Sequence, residues 1–269
     1  MRNVYCILVV SLFIFSCRNV PQNQDPIPNH DSFTIVSKQV GETRVINVWT
    51  PPSYENNDNA FPVLYMADGG IKEDFPHIAN TIAKLVKEKS IAPIILVGIE
   101  NTDRRRDLTG ASAVKKDGEY CPLTDGATNF RNFITEELIS EIDKKYRITS
   151  RKGLIGESLS GLFVMETFMQ HPNSFDFYIA MDPSLWWNNH YLVRNSNTLF
   201  ADFPNKEIKL WFAGSGAVDI SKHTNELEKV LNSDAPGKLD WKYSDEPNEQ
   251  HNTIFRATKE KALIWILND

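Results

Sequence analysis

The 269-residue chain is short of several things, and each shortage closes a class of function. It has three cysteines, Cys6, Cys17 and Cys121, too few for a disulfide framework, so a packed core must supply the stability. It has no excess of basic charge: the formal net charge is −6, which leaves no broad cationic face for nucleic acid. No HExxH, CxxC or EF-hand pattern occurs, so neither a metal nor any other cofactor is implied. The one long apolar run, Val4 to Phe15, is too short to span a bilayer as a helix. A partial G-x-G-x-x-G, "GSGAVD" at 214–219, lacks the third glycine and comes late in the chain, which disfavours a dinucleotide site.

The apolar run follows Arg2 and ends in Ile14-Phe15-Ser16-Cys17, the shape of an export signal. Its end resembles a bacterial lipobox, with Phe15 bulky for its place. The expectation is a signal over 1–16, lipidation of Cys17, and a polar, Pro-rich tether over 17–30. The protein would then be exported and held to an envelope membrane by its lipid. Residues 31–269 would form the working domain.

That domain opens with two strands around Gly41-Glu42 and continues as alternating strands and helices. "FPVLYM", "APIILVGIE", "KGLIGE", "FDFYIAM", "EIKLWFAG" and "LDWKYSD" read as strands. "FPHIANTIAKLVKE", "NFRNFITEELISEIDKKYR", "SLSGLFVMETFMQHP", "LWWNNHYL", "HTNELEKVLNS" and "IFRATKEKALIWIL" read as helices. The pattern predicts a doubly wound α/β domain with a mostly parallel sheet, and such sheets bind ligands at the carboxyl ends of their strands.

At one such end lies "GLIGESLSG", residues 153–161. Ser158 falls at a strand-to-helix turn with Gly156 two before it and Ser160 two after, close to the G-x-S-x-G of a nucleophile elbow. A serine needs a base and an acid to orient that base, in the chain order Ser, Asp or Glu, His. His251, between the last strand and last helix, is the candidate base. His171 reads as structural, and His190 and His223 as solvated. Asp219, after the strand "EIKLWFAG", is the preferred acid and Asp182 the rival.

From these residues outward the chain resembles the esterase D-like ("putative esterase") family of α/β-hydrolases, and within it the siderophore-esterase branch. The stretches that carry the likeness are "FPVLYMADGG", "VGIENTDRRRDLT", "FRNFITEELISEIDKKYRI", "GLIGESLSGLFVMETFMQHPNSFDFYIAMDPSLWWNN" and "EQHNT". The resemblance implies an α/β-hydrolase fold without a large lid domain, Ser158 as nucleophile and His251 as base. It also implies an oxyanion hole made by the N–H groups of Gly70 and Leu159. Trp186 and Trp187 match the family's paired tryptophans, which would wall an aromatic pocket. Arg104, Arg105 and above all Arg106 could offer a cation to an anionic or catecholate ester. The expected activity is serine ester hydrolysis on a bulky aromatic ester. Feruloyl or acetyl esters of sugars are the alternative substrate, and a non-catalytic binding lipoprotein the alternative of another class. The oligomeric state is not legible.

Overall fold

A computed structural model describes residues 25–268. The expected signal, Cys17 and the first part of the tether lie outside the described residues. Residues 25–30 do not behave as a free tether. Asp25 pairs with Arg256, Pro26 O accepts from Asn80 Nδ2 at 2.7 Å, and the His30 ring meets Phe75 edge-on. The domain boundary therefore falls earlier than residue 31.

The described chain builds one eight-stranded sheet. Its elements run β1 (Asp31–Val36), β2 (Thr43–Trp49), β3 (Phe61–Met66), α1 (Phe75–Lys87), β4 (Ile95–Ile99), α2 (Arg104–Asp107), α3 (Gly126–Asn132) and α4 (Ile139–Lys145). They continue through β5 (Ile148–Glu157), α5 (Leu159–Gln170), β6 (Phe177–Met181), α6 (Trp187–Arg194), α7 (Ser196–Ala201), β7 (Ile208–Ser215), α8 (Val218–Asp234), β8 (Leu239–Glu246) and α9 (Ile254–Leu267). The sheet order is β1-β2-β4-β3-β5-β6-β7-β8, with β1–β2 and β2–β4 antiparallel and every later pair parallel.

β4 and β6 are buried at every position, because helices cover both faces of the sheet. Side chains alternate across the pleat: Tyr65 joins one core, Leu64 and Met66 the other. The first core contains α3, α4, α5 and α8 residues; α1 and α9 cover the second. The α1 helix shows how sequence dictates this. Ile78, Ile82 and Leu85 recur at helical spacing and are buried, while Lys84 and Lys87 favour the carbonyl end of the helix dipole.

Two helices depart from the regular form that periodicity predicts. The amphipathic run 126–145 is broken by a π-helical turn over Phe133–Leu138 between α3 and α4. In α6, Asn188, Asn189 and His190 all have positive φ. Asn188 is held there by its N–H to Asp117 Oδ2 at 2.8 Å and by accepting the Ala113 N–H at 3.1 Å. Those bonds fasten the long loop 100–128 to the segment after β6. His223 is buried and stacks on His190, ring centroids 4.7 Å apart, so the expectation of two solvated histidines fails.

Candidate active site

Ser158 stands between β5 and α5 with φ +61° and ψ −117°. A side chain in that region carries strain of about 1–3 kcal/mol, which surrounding bonds must override. They do: Ser158 N–H donates to Met181 O at 3.0 Å, and Ser158 O accepts from Ser184 N–H at 3.1 Å. The tight turn also explains Gly156, where a Cβ would lie 2.5 Å from the Ser160 carbonyl.

His251 follows β8 and turns its ring back across the strand ends. Its Nε2 lies 3.0 Å from Ser158 Oγ, and its Nδ1 lies 2.6 Å from Asp182 Oδ2. Serine, imidazole and carboxylate therefore form one hydrogen-bonded series. Asp182 is fully buried and also accepts from Ser215 N–H at 2.6 Å and Ser215 Oγ at 2.8 Å. These donors fix the carboxylate so that Oδ2 keeps a lone pair facing His251. The hydrogen bond that Asp182 accepts, more than any other influence, raises the His251 pKa above its ordinary value; burial opposes it, and Glu157 and Asp219 add smaller pushes upward. Burial lifts Glu157 itself to about 7, reinforced by Asp74 and Asp68 and opposed by His251 and Arg104.

Asp219, the acid preferred from sequence, is not the partner of His251. The register decides this. Glu157 pairs with Met181, so Ser158 and Asp182 are neighbours on adjacent strand ends, about 4.8 Å apart across a sheet. One imidazole spans that gap. β7 is a strand further away, and Asp219 lies beyond it in the exposed first turn of α8. It lines the pocket without touching the ring.

The pocket over Ser158 has a volume of about 350 Å³. Loop 100–128 contributes Arg104, Arg105, Tyr120 and Cys121; Trp186 comes from the segment after β6, and the start of α8 completes the wall. Trp186 meets Tyr120 edge-on at 5.5 Å between centroids. Trp187 does not line it. It is 4% exposed and spends its Nε1–H on Gly110 O at 3.0 Å, a structural bond that pins the loop.

Arg106 also lies outside the pocket. It joins Asp107 and Glu42, beside the buried Arg44–Asp107 pair, and its guanidinium holds the Glu42 carboxyl down at about 2. The cations at the site are Arg104, which pairs with Asp68, and Arg105. No local pattern within Arg-Arg-Arg separates the three; the helical turn α2 aims them differently.

Of the two expected oxyanion donors, Leu159 lines the pocket and opens α5, where first-turn amides have no carbonyl partner within the helix. The Gly70 N–H is engaged, donating to Glu73 Oε2 at 2.7 Å. Glu73 also accepts from Asn101 Nδ2 at 3.0 Å, and burial raises its pKa.

Known proteins resemble the chain in sequence and in fold. Residues 37–260 match the family model described as "Putative esterase". Ferri-bacillibactin esterase BesA of Bacillus subtilis is 28% identical over 188 residues, 62% of this chain and 65% of that one, so the match spans less than two thirds of the relative. Apo-salmochelin esterase of Escherichia coli is 25% identical over 249 residues, 84% of this chain and 76% of the other. The crystal structure of an IroE-like serine hydrolase from Shewanella oneidensis superposes with a TM-score of 0.78 at 25% identity, covering 88% of this chain and 79% of that one. Sheet, helices and family match agree: the chain belongs to the putative esterase family of α/β-hydrolases.

Proposed function

We propose that the protein is a serine esterase that works through an acyl-enzyme on Ser158 and takes a siderophore-type catecholate ester. The observation that carries the chemistry is the unbroken series Ser158–His251–Asp182. Ser158 Oγ attacks the ester carbonyl while His251 Nε2 accepts its proton. The buried Asp182 carboxylate holds the ring by Nδ1 and stabilises the imidazolium. Collapse of the tetrahedral intermediate breaks the C–O bond, and His251 returns the proton to the departing alkoxide. Water, deprotonated by the same ring, then releases the acid and frees Ser158. The helix-start amide of Leu159 donates to the oxyanion; one such donor is worth about 3 kcal/mol.

The substrate reading rests on the pocket and on the relatives. Arg104 and Arg105 offer positive charge, and Trp186 and Tyr120 offer aromatic edges and faces. A catecholate acyl group presents an aromatic ring with anionic oxygens, which suits both. Two matched relatives carry the names of siderophore esterases, ferri-bacillibactin and apo-salmochelin. The deciding measurement is kcat/KM on a catecholate trilactone, a feruloyl sugar ester and a long-chain acyl ester in parallel. A preference for the trilactone supports the proposal. A preference for the sugar ester keeps the mechanism and moves the substrate, and a preference for the long acyl chain defeats the pocket argument.

A further inference from the structure

The residue two after the candidate nucleophile is a serine where the elbow pattern has glycine, and its hydroxyl is occupied. Ser160 is 1% exposed. Its Oγ accepts the Glu157 N–H at 2.8 Å and lies 2.7 Å from Asp68 Oδ2 and 2.8 Å from Glu157 O. A hydroxyl has one proton to donate, and a carboxylate is a stronger acceptor than a carbonyl, so the bond goes to Asp68.

Asp68 lies just after β3, the strand beside β5, with φ +56° and 5% exposure. Its carboxylate is saturated by donors. Oδ1 accepts from Arg104 Nε and Asn101 Nδ2, each at 2.6 Å; Oδ2 accepts from Arg104 Nη2 at 2.9 Å and from Ser160. Arg104 also reaches Glu157 O at 3.4 Å and lines the pocket beside Ser158. One buried carboxylate thus joins the peptide that carries the nucleophile to the cationic wall of the pocket.

The geometry points to Asp68 as a positioning residue: through Ser160 it fixes the elbow, and through Arg104 it fixes the surface on which the substrate docks. This rests on Ser158 being the nucleophile. The Ser160 hydroxyl is then a part of the device, and the departure from glycine is its signature. Neither Asp68 nor Ser160 touches the reacting atoms. Their effect is on the distance between two things that do.

The test is kinetic, on the full chain, with a small aryl ester and the catecholate trilactone. A fluorophosphonate probe that labels the nucleophile counts competent sites, so kcat is expressed per titrated serine and misfolded protein drops out. Ser160→Ala and Ser160→Gly should lower kcat about 10- to 100-fold with KM nearly unchanged, as for a small misplacement of a reacting atom. Asp68→Asn keeps the shape but cannot accept all four donors. It should lower kcat and raise the KM of the trilactone together, because Arg104 is released as well. The double variant Asp68→Asn/Ser160→Ala should have the kcat of Asp68→Asn alone, since both substitutions cut one linkage. If Asp68→Asn does not fold, the two Ser160 variants decide the elbow half by themselves. A kcat per titrated serine within about twofold of wild type in both Ser160 variants, or effects that multiply in the double variant, overturns the inference. Esterase activity without labelling of Ser158 in the wild type is a different result: it refutes the nucleophile.

Discussion

Replacing Asp182 with asparagine, beside the same change at Asp219, separates a residue that holds the ring from one that lines the pocket. Asp182 Oδ2 sits 2.6 Å from His251 Nδ1, and Oδ1 receives the Ser215 amide. An amide at 182 has one oxygen. If that oxygen stays on the Ser215 N–H, the NH2 takes the place of Oδ2, faces His251 Nδ1 and must donate to it. The ring then carries its proton on Nε2, aimed at Ser158 Oγ, and cannot accept one. The expected loss is therefore in kcat and large, about 10³- to 10⁴-fold, or roughly 4–5 kcal/mol of transition-state stabilisation. Among the described residues Asp219 makes no side-chain hydrogen bond or ion pair, and its exposed charge acts on His251 only at a distance. Asp219→Asn should leave kcat within about threefold of wild type. The assay is steady-state hydrolysis of an aryl acetate with active-site titration, alongside a thermal melt. The melt matters, because leaving a buried donor unpaired costs about 1–3 kcal/mol of stability. An Asp182→Asn enzyme that keeps more than a tenth of wild-type kcat, or an Asp219→Asn enzyme that falls further, would refute the assignment.

Four further outcomes are expected. Ser158→Ala should abolish hydrolysis and fluorophosphonate labelling while the melt stays near wild type, since the backbone with φ +61° is retained and only one half-buried hydrogen bond, to His251, is lost; residual turnover above about 10⁻³ of wild type counts against the nucleophile. The imidazole must be neutral to accept a proton, so kcat/KM should fall as pH drops through a His251 pKa above the ordinary 6.5; Asp182→Asn removes the main upward influence and should move that limb to lower pH as it lowers the plateau. Arg105→Glu should raise the KM of an anionic catecholate ester at least about tenfold with little effect on a neutral aryl acetate, whereas Arg106→Ala should lower stability and leave both KM values alone. Cys17 is proposed to carry a lipid anchor: Cys17→Ser should move the protein from the membrane to the soluble fraction, and a wild-type chain of unmodified mass would show otherwise.

The alternation of apolar strands with amphipathic helices made the α/β domain legible, and the small residues around Ser158 made the elbow legible. His251 was readable because the last strand-to-helix connection must return to the strand ends. What sequence order does not contain is sheet order. Asp182 and Asp219 follow consecutive strands in the chain, yet only β6 lies next to β5, and that adjacency selects the acid. Trp186 and Trp187 are likewise adjacent in sequence and opposed in fate. Their separation depends on the turn after β6, where the following residues take left-handed conformations that a helical reading does not foresee. The three arginines 104–106 differ only in which way a single helical turn points them. Gly70 was placed by the family resemblance, but nothing in the local sequence says that Glu73 folds back onto its amide.

The three polar residues that matter most in this geometry share a backbone feature. Asp68, Ser158 and Asp182 each follow a strand, each has φ between +48° and +61°, and their strands β3, β5 and β6 are consecutive in the sheet. Left-handed backbone at a side-chain-bearing residue is uphill, by about 1–3 kcal/mol each, and three in a row survive only where neighbours over-determine them. The neighbours are named: Arg104, Asn101 and Ser160 around Asp68; Met181 O and the Ser184 amide around Ser158; Ser215 and His251 around Asp182. Each sharp turn lifts a side chain out of the pleat at the strand's carboxyl end, where a helix start or loop would otherwise cover it. Part of the fold's backbone strain lies along these strand ends, and the hydrogen bonds that hold it there are the same ones that orient Ser158, Asp182 and the pocket wall. Removing any one of them should therefore register in rate before it registers in global stability, because the cores on either side of the sheet do not depend on it.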